Sequence, residues 1–104
     1  MKSFAIHQFH SGACYGDGIT NGMFYLQKIL RESGYKSEIY SVDIDERVKD
    51  RVRSFRDYED DPNDLLFVHY SLGTHHDDWI AGLGARRVLV YHNITPAHFF
   101  PDGS

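Results

Sequence analysis

The stretch LLFVHY at residues 65–70 decides the fold class of this 104-residue chain. Apart from His69 it is an unbroken run of apolar and aromatic residues, and it follows the turn-forming cluster DDPND at residues 60–64. A continuous apolar strand is typical of a parallel sheet that is buried on both faces. We therefore predict that residues 65–70 form a central strand of an α/β domain.

The flanking sequence predicts strands and helices that alternate along the chain. Short apolar or alternating segments indicate strands, and apolar residues that recur every three or four positions indicate helices. The predicted strands are residues 3–9, 37–42, 65–70 and 88–92. The predicted helices are residues 18–33, a short surface helix near 45–54, and a short helix through Trp79, Ile80 and Leu83. The apolar face of the longest helix is formed by Ile19, Met23, Leu26 and Leu30.

This alternation predicts a parallel sheet with right-handed crossovers. We expect a single Rossmann-like, three-layer α/β domain over residues 1–104, with about four parallel strands. If the strands lie in the order 2-1-3-4, the order reverses between the first and third strands, and ligands of such sheets bind beyond the carboxyl ends at that point. The loops at residues 10–18, 70–76 and 92–96 would then surround one crevice.

Composition and charge exclude several classes of protein. With 41% hydrophobic and 14% aromatic residues, the chain can form one folded core. A net charge of −4 argues against a dedicated nucleic-acid binder, which normally carries a basic face. No apolar run reaches the ~18 residues of a transmembrane helix. Cys14 is the single cysteine, so we expect no internal disulfide and a cytoplasmic protein, with a peripheral position at the inner membrane face left open.

The glycine-rich segment at residues 10–18 opens the longest predicted helix. Gly16 and Gly18 let the backbone approach a phosphate, and a helix N-terminus offers N–H groups and a favourable dipole to an anion. A plain strand-to-helix turn explains the same glycines. No Lys-Ser/Thr pair follows, which excludes a P-loop. Gly22 lies one residue too far along for the dinucleotide fingerprint, although Asp43 stands near the usual place of its ribose-binding acid.

His92 is the strongest single candidate for a functional side chain. It ends the last predicted strand, at the position where a polar residue meets the crevice of a parallel sheet. The alternative is a histidine that only satisfies backbone groups at the strand end. The other residues predicted to line the crevice are His10, Tyr70, Ser71, Asn93 and Thr95.

The cluster of histidines near residue 75 does not indicate a metal site. His75 and His76 are adjacent, so on a helix their side chains diverge by about 100°. The start of a helix explains Asp77 and Asp78 without a metal, because acidic side chains are favourable in a first turn. We expect no bound metal and no other cofactor.

Five segments of the chain carry a resemblance to a known family. They are IHQF at residues 6–9, GDGITN at 16–21, LRESGY at 30–35, DLLFVHYS at 64–71 and VYHNITP at 90–96. In this order they resemble the amino-terminal part of glycosyltransferase family 4, over nearly the whole chain. The YHNITP segment is the most specific of them, and the glycine segment alone would be a weak signal.

The resemblance implies a retaining enzyme of GT-B architecture, with two Rossmann-like domains and the active site between them. Such an enzyme moves a sugar from a nucleotide diphosphate sugar to an acceptor without a metal. By resemblance, Gly16, Asp17 and Gly18 approach the donor diphosphate, His92 reaches the donor sugar as the catalytic residue, and this domain binds the acceptor. The carboxy-terminal nucleotide-sugar domain is absent, and further strands are expected after Pro96. The chain is therefore interpreted as a fragment that is inactive on its own.

Two further expectations stay open at this point. A non-catalytic, flavodoxin-like module that binds a phosphorylated ligand or partner is the rival function, and a second domain downstream in the reading frame would decide against it. Residues 88–91 are also expected to form an exposed apolar strand edge. Because such an edge can pair with another chain, self-association of the fragment is predicted.

Overall fold

The computed structural model describes residues 3–70 and 77–91, in which five strands form one parallel sheet. The strands are β1 (Ile6–Ala13), β2 (Ile39–Ile44), β3 (Arg53–Ser54), β4 (Leu65–Tyr70) and β5 (Arg86–Tyr91). The helices are α1 (Gly18–Glu32) and α2 (Asp77–Ala81), with two 3-10 turns at Glu46–Val48 and Phe55–Asp57. No helix within these residues is long and apolar enough to cross a membrane.

The strand order is β3-β2-β1-β4-β5, and every neighbouring pair is parallel. The order 2-1-3-4, considered above as one arrangement, is the one observed, since β4 and β5 are the third and fourth predicted strands. The chain leaves β1 toward β2 on one side and later returns to β4 on the other, so the order reverses between β1 and β4. Because all strands are parallel, Ala13, Tyr70 and Tyr91 end their strands at the same edge of the sheet.

Apolar clusters on both faces of the sheet give the three layers that the sequence predicts. On one face, Phe9 and Val68 of the sheet pack with Ile80 of α2. On the other face, Met23 of α1 packs with Ile39 of β2. Phe9, Val68, Met23 and Ile39 are completely buried, and burial of such side chains contributes about 1.5–3 kcal/mol each. The central strands are therefore sandwiched, as the apolar run at residues 65–70 indicates.

Helix α1 follows the predicted apolar face. Ile19 and Met23 are buried, whereas Leu26 and Leu30 are half-buried toward the end of the helix. Gln27 is also buried on this face, and its side-chain amide donates to the carbonyl oxygen of Ser37 at 3.0 Å. The polar side chain is thus tolerated in the core because its donor is satisfied.

The predicted surface helix near residues 45–54 is wrong. In its place the chain forms a 3-10 turn, the short edge strand β3 and a second 3-10 turn. The Asp45 side chain accepts the backbone N–H of Arg47, and Ser54 accepts that of Arg56, so each turn begins with a local cap. The apolar residues with helical spacing, Val48 and Val52, are nevertheless buried.

Strand β1 is longer and β5 begins earlier than predicted. Residues 10–13 continue β1, because Gly12 and Ala13 pair with Asp43 and Ile44 of β2. The predicted loop at 10–18 therefore shrinks to the residues after Ala13. Strand β3 brings the sheet to five strands within the described residues, where about four were expected.

Candidate functional site

The turn between β1 and α1 is tight and open to its surroundings. The backbone N–H of Asp17 donates to the carbonyl oxygen of Cys14 at 3.2 Å, and Gly16 has a φ of 78°. That left-handed conformation costs an L-residue with a side chain about 1–2 kcal/mol. A Cβ added at Gly16 or Gly18 would meet no atom within 4 Å. The turn thus requires glycine for its backbone shape and leaves space beside it.

Asp17 caps helix α1. Its Oδ2 accepts the backbone N–H of Thr20 at 3.1 Å and the Thr20 hydroxyl at 3.2 Å, while its carbonyl oxygen accepts the N–H of Asn21. Within residues 3–70 and 77–91, the backbone N–H groups of Gly18 and Ile19 have no acceptor. These two donors are therefore the groups at this helix end that can meet an anion. The carboxylate of Asp17 is negatively charged, as a diphosphate is, and is engaged as a cap.

Residues 45–47 contact the turn and place a cation beside it. The guanidinium of Arg47 lies 4.5 Å from the centre of the Tyr15 ring. Asp45 accepts the backbone N–H of Tyr15 at 3.2 Å and a guanidinium N–H of Arg47 at 3.2 Å. The N–H groups of Arg47, followed by that of Tyr15, lower the pKa of Asp45 to about 2. No local pattern marks Arg47, because its partner Tyr15 is distant in sequence.

His10 lies inside β1 and is buried, so its predicted position in a loop is wrong, and its role at the crevice stays a prediction. Its Nδ1 lies 2.5 Å from the carbonyl oxygen of Gly12. The register pairs Phe9 with Val68, which makes His10 and His69 neighbours on the next rung of the two central strands. Both imidazoles therefore occupy the core beneath the carboxyl edge of the sheet, on the same face as Gln8.

Tyr70 and Tyr91 end β4 and β5 at the carboxyl edge. Their rings stack with centres 5.5 Å apart, Tyr70 half-buried and Tyr91 exposed. The other predicted crevice residues lie outside the described part of the chain, namely Ser71, His92, Asn93 and Thr95. The roles assigned to them stay predictions. Tyr91 immediately precedes His92, and it ends its strand at the edge where Ala13 leads into the glycine turn.

A cavity of about 330 Å³ at the opposite edge of the sheet was not predicted from the sequence. His7 lines it, and the Nδ1 of His7 accepts the backbone N–H of Glu38 at 3.0 Å. Burial lowers the pKa of His7, against opposing contributions from Asp64 and Glu38. Burial also raises the pKa of Tyr58, whose ring lies edge-on to that of His7.

The acidic lining of this cavity serves the fold. Asp64 accepts the backbone N–H of Ala5, and Asp60 accepts those of Gly84 and Ala85. Glu38 forms ion pairs with two arginines, Arg31 and Arg53. Among the described residues, no group of three or more histidine, cysteine or carboxylate side chains could hold a metal ion.

The described part of the predicted crevice thus consists of the turn after β1, the start of α1 and the aromatic pair Tyr70 and Tyr91. Comparisons with protein-family models, curated proteins and solved structures find no match for this chain. A proposal of function therefore depends on the sheet order, the open turn and the residues around them.

Proposed function

We propose that the chain is part of a retaining glycosyltransferase that moves a sugar from a nucleotide diphosphate sugar to an acceptor. The observation that carries the proposal is the open turn with Gly16 in the left-handed region, at the carboxyl end of β1 and beside the reversal of strand order. Its sequence is the glycine segment of the resemblance to glycosyltransferase family 4. The proposal includes a GT-B enzyme, a cytoplasmic location and a second domain elsewhere in a longer protein.

In this proposal the donor diphosphate binds to backbone groups. The N–H groups of Gly18 and Ile19, with the positive end of the α1 dipole, face the charge that builds on the departing diphosphate. Asp17 keeps the helix capped, and Arg47, which is ion-paired with Asp45, lies over the Tyr15 ring beside the turn. We thus keep the glycines as diphosphate contacts and assign the Asp17 side chain to the helix cap.

In this proposal the residues that contact the sugar belong to the segments that follow β4 and β5 in the sequence. His92 directly follows Tyr91, and a neutral imidazole there can hydrogen-bond a sugar hydroxyl or a backbone carbonyl. Ser71, Asn93 and Thr95 lie on the same two segments and are proposed to line the acceptor side of the cleft with Tyr70. Most of the nucleotide contacts belong to the second domain, so the chain alone is proposed to be inactive.

A titration of the chain with nucleoside diphosphates and nucleotide sugars tests the proposal. We expect the largest amide chemical-shift changes in NMR spectra at Gly16, Gly18 and Ile19. The cavity lined by His7 lies at the opposite edge of the sheet and serves as the internal reference, with no change expected. Nucleosides without phosphate are the matched ligand control. Unchanged amides at the turn with every diphosphate tested would remove the support for the proposal.

A non-catalytic binding module for a phosphorylated ligand is the second candidate. Leaving aside the short β3, the strand order is that of flavodoxin-like folds, which bind phosphate groups at the same switch point. This function needs no second domain and no catalytic His92. A downstream Rossmann-like domain with a paired-glutamate motif in the reading frame favours the transferase, and tight phosphate binding by a chain encoded without such a domain favours the module.

A further inference from the structure

Strand β5 presents an unpaired apolar edge. Within residues 3–70 and 77–91 it pairs with β4 alone, and its other side has no neighbouring strand. Val88 is 40% exposed, Leu89 50% and Tyr91 76%. An open edge with apolar side chains on it can accept a further strand through main-chain hydrogen bonds.

The direction of the backbone groups on β5 follows from one hydrogen bond. The N–H of Arg86 donates to the carbonyl oxygen of Asp64 at 3.0 Å, so Arg86 turns its backbone groups toward β4. Because these groups alternate along a strand, Val88 and Val90 also face β4. The N–H and C=O groups of the remaining residues of the strand point outward, namely Arg87, Leu89 and Tyr91.

The side chains of Arg87, Leu89 and Tyr91 share one face of the sheet, the face that carries α2. Arg87 donates from its guanidinium to the carbonyl oxygens of Ile80 and Leu83, and the ring of Tyr91 stacks on that of Tyr70. The edge therefore offers a cation at one end, an apolar residue at the centre and an aromatic ring at the other end. When two such edges run antiparallel, the arginine of each lies opposite the tyrosine of the other, and the two leucines lie opposite each other.

We propose that the partner of this edge is β5 of a second copy of the chain, paired antiparallel about a two-fold axis at Leu89. In this register Leu89 faces Leu89 of the second copy, and Arg87 faces Tyr91. Every outward N–H and C=O group from Arg87 to Tyr91 finds a partner, and the Arg87 guanidinium lies beside the aromatic ring of the second copy. The pairing joins the two sheets into one continuous sheet. It uses the same edge at which the further strands expected after Pro96 would join the sheet, so a second copy and such a strand exclude each other there.

Other arrangements of two copies are less complementary. A register shifted by one residue leaves the outward groups at one end of the strand unpaired. A parallel pairing about a two-fold axis along the strands turns one sheet over, so the two Leu89 side chains lie on opposite faces and cannot pack together. The antiparallel register at Leu89 avoids both costs, because its axis is perpendicular to the sheet and keeps Leu89, Arg87 and Tyr91 of both copies on one face.

Disulfide trapping tests the register. Cys14, the single cysteine of the chain, is exposed, so it is first replaced in a Cys14→Ser background. In this background Leu89→Cys places two thiols on a hydrogen-bonded antiparallel pair, whose Cα atoms lie about 5.5 Å apart, within disulfide range. Val88→Cys is the matched control, since Val88 is also exposed but lies too far from its own copy. We expect oxidation to convert the Leu89→Cys protein to a cross-linked dimer and to leave the Val88→Cys protein monomeric.

A measurement on the unaltered chain complements the trapping experiment. With increasing protein concentration, sedimentation velocity is expected to show dimers, and hydrogen exchange is expected to slow at the amides of Arg87, Leu89 and Tyr91. The amides of Val88 and Val90 face β4 and are expected to exchange at a rate that does not depend on concentration. Leu89→Lys is expected to abolish the dimer, whereas Tyr25→Lys on the exposed side of α1 leaves it unchanged.

Three results would overturn the proposal. The first is a monomer at every concentration, which means that the edge takes no second copy. The second is equal cross-linking of the Leu89→Cys and Val88→Cys proteins, which means that contacts are unspecific. The third is preferential cross-linking of the Val88→Cys protein, which places the two-fold axis at another residue.

Discussion

The Nε2 of His69 donates a hydrogen bond of 2.8 Å to the Oε1 of Gln8, and both side chains are buried. The Nε2 of Gln8 in turn donates to the carbonyl oxygen of Met23 at 2.8 Å. This chain of polar groups links β4, β1 and α1 through the core. The Met23 carbonyl oxygen can only accept, so it fixes the Gln8 amide nitrogen on its side and turns the amide oxygen toward His69, whose Nε2 is therefore the donor.

Gln8→Leu is expected to destabilise the protein by about 1–3 kcal/mol, since it leaves the Nε2–H of buried His69 without its acceptor. For a domain of this size, each kcal/mol lowers Tm by about 4–8 °C, which thermal unfolding measures. The double variant Gln8→Leu with His69→Leu is the control, because it removes both members of the pair. The two single losses are expected to exceed the loss of the double variant when added, and strict additivity would contradict the link.

His7 is expected to make folding stability fall on mild acidification. Its ordinary pKa is 6.5, and burial lowers that pKa in the folded state. The unfolded chain therefore binds the proton more readily, so the contribution of His7 is complete above pH 6.5 and decreases as the pH falls from there toward the lowered value. Urea unfolding between pH 8 and pH 5 measures this loss.

His7→Asn provides the matched control for this pH dependence. Asparagine can still accept the backbone N–H of Glu38 but does not titrate, so the variant is expected to lose less stability between pH 7 and pH 5. An NMR titration that places the pKa of His7 above its ordinary value would contradict the prediction.

Gly16→Ala and Gly22→Ala are expected to change stability in opposite directions. At Gly16 the φ of 78° costs alanine about 1–2 kcal/mol. Gly22 lies on the exposed side of α1, where an added Cβ meets nothing, so alanine gains about 1 kcal/mol of helix propensity. Chemical denaturation of the two variants measures both effects, and a Gly16→Ala variant as stable as the wild-type protein would show that the turn tolerates a side chain.

Substitutions of Asp17 separate the helix cap from ligand binding. Asp17→Ala is expected to cost about 1 kcal/mol of stability through loss of the cap, whereas Asp17→Asn keeps a capping oxygen and most of the stability. Because Asn removes the negative charge, we expect Asp17→Asn to bind nucleoside diphosphate more tightly by calorimetry. Weaker binding by this stable variant would instead make the carboxylate of Asp17 a ligand-binding group.

In the proposed transferase, His92→Ala is expected to reduce turnover by about a hundredfold, because a hydrogen bond in a dry cleft stabilises the transition state by a few kcal/mol. The Tm of the variant is expected to stay close to that of the wild-type protein, since His92 is proposed to contact the sugar and not the core. Sugar transfer assays and thermal unfolding of the same preparation measure both. Unchanged turnover, or a variant that unfolds, would assign His92 a structural role.

The sequence by itself determined the α/β class, the alternation of strands and helices and the position of the glycine turn. These features depend on patterns within short segments: the apolar run at residues 65–70, the stripe with Ile19 and Met23, and the Asp17 cap. Local chemistry is enough for them because burial on both faces, helical periodicity and capping each act over a few residues.

Only the tertiary structure decided the conformation of residues 45–54, the length of β1 and the contacts between residues distant in sequence. Val48 and Val52 have helical spacing, but the caps at Asp45 and Ser54 favour 3-10 turns, and the two valines are buried without a helix. His10 belongs to β1 because pairing with β2 extends the strand, which no residue near His10 reveals. Arg47 reaches the turn at Tyr15 only through the fold. Contacts between residues distant in sequence depend on how the strands are paired, and local patterns do not specify that pairing.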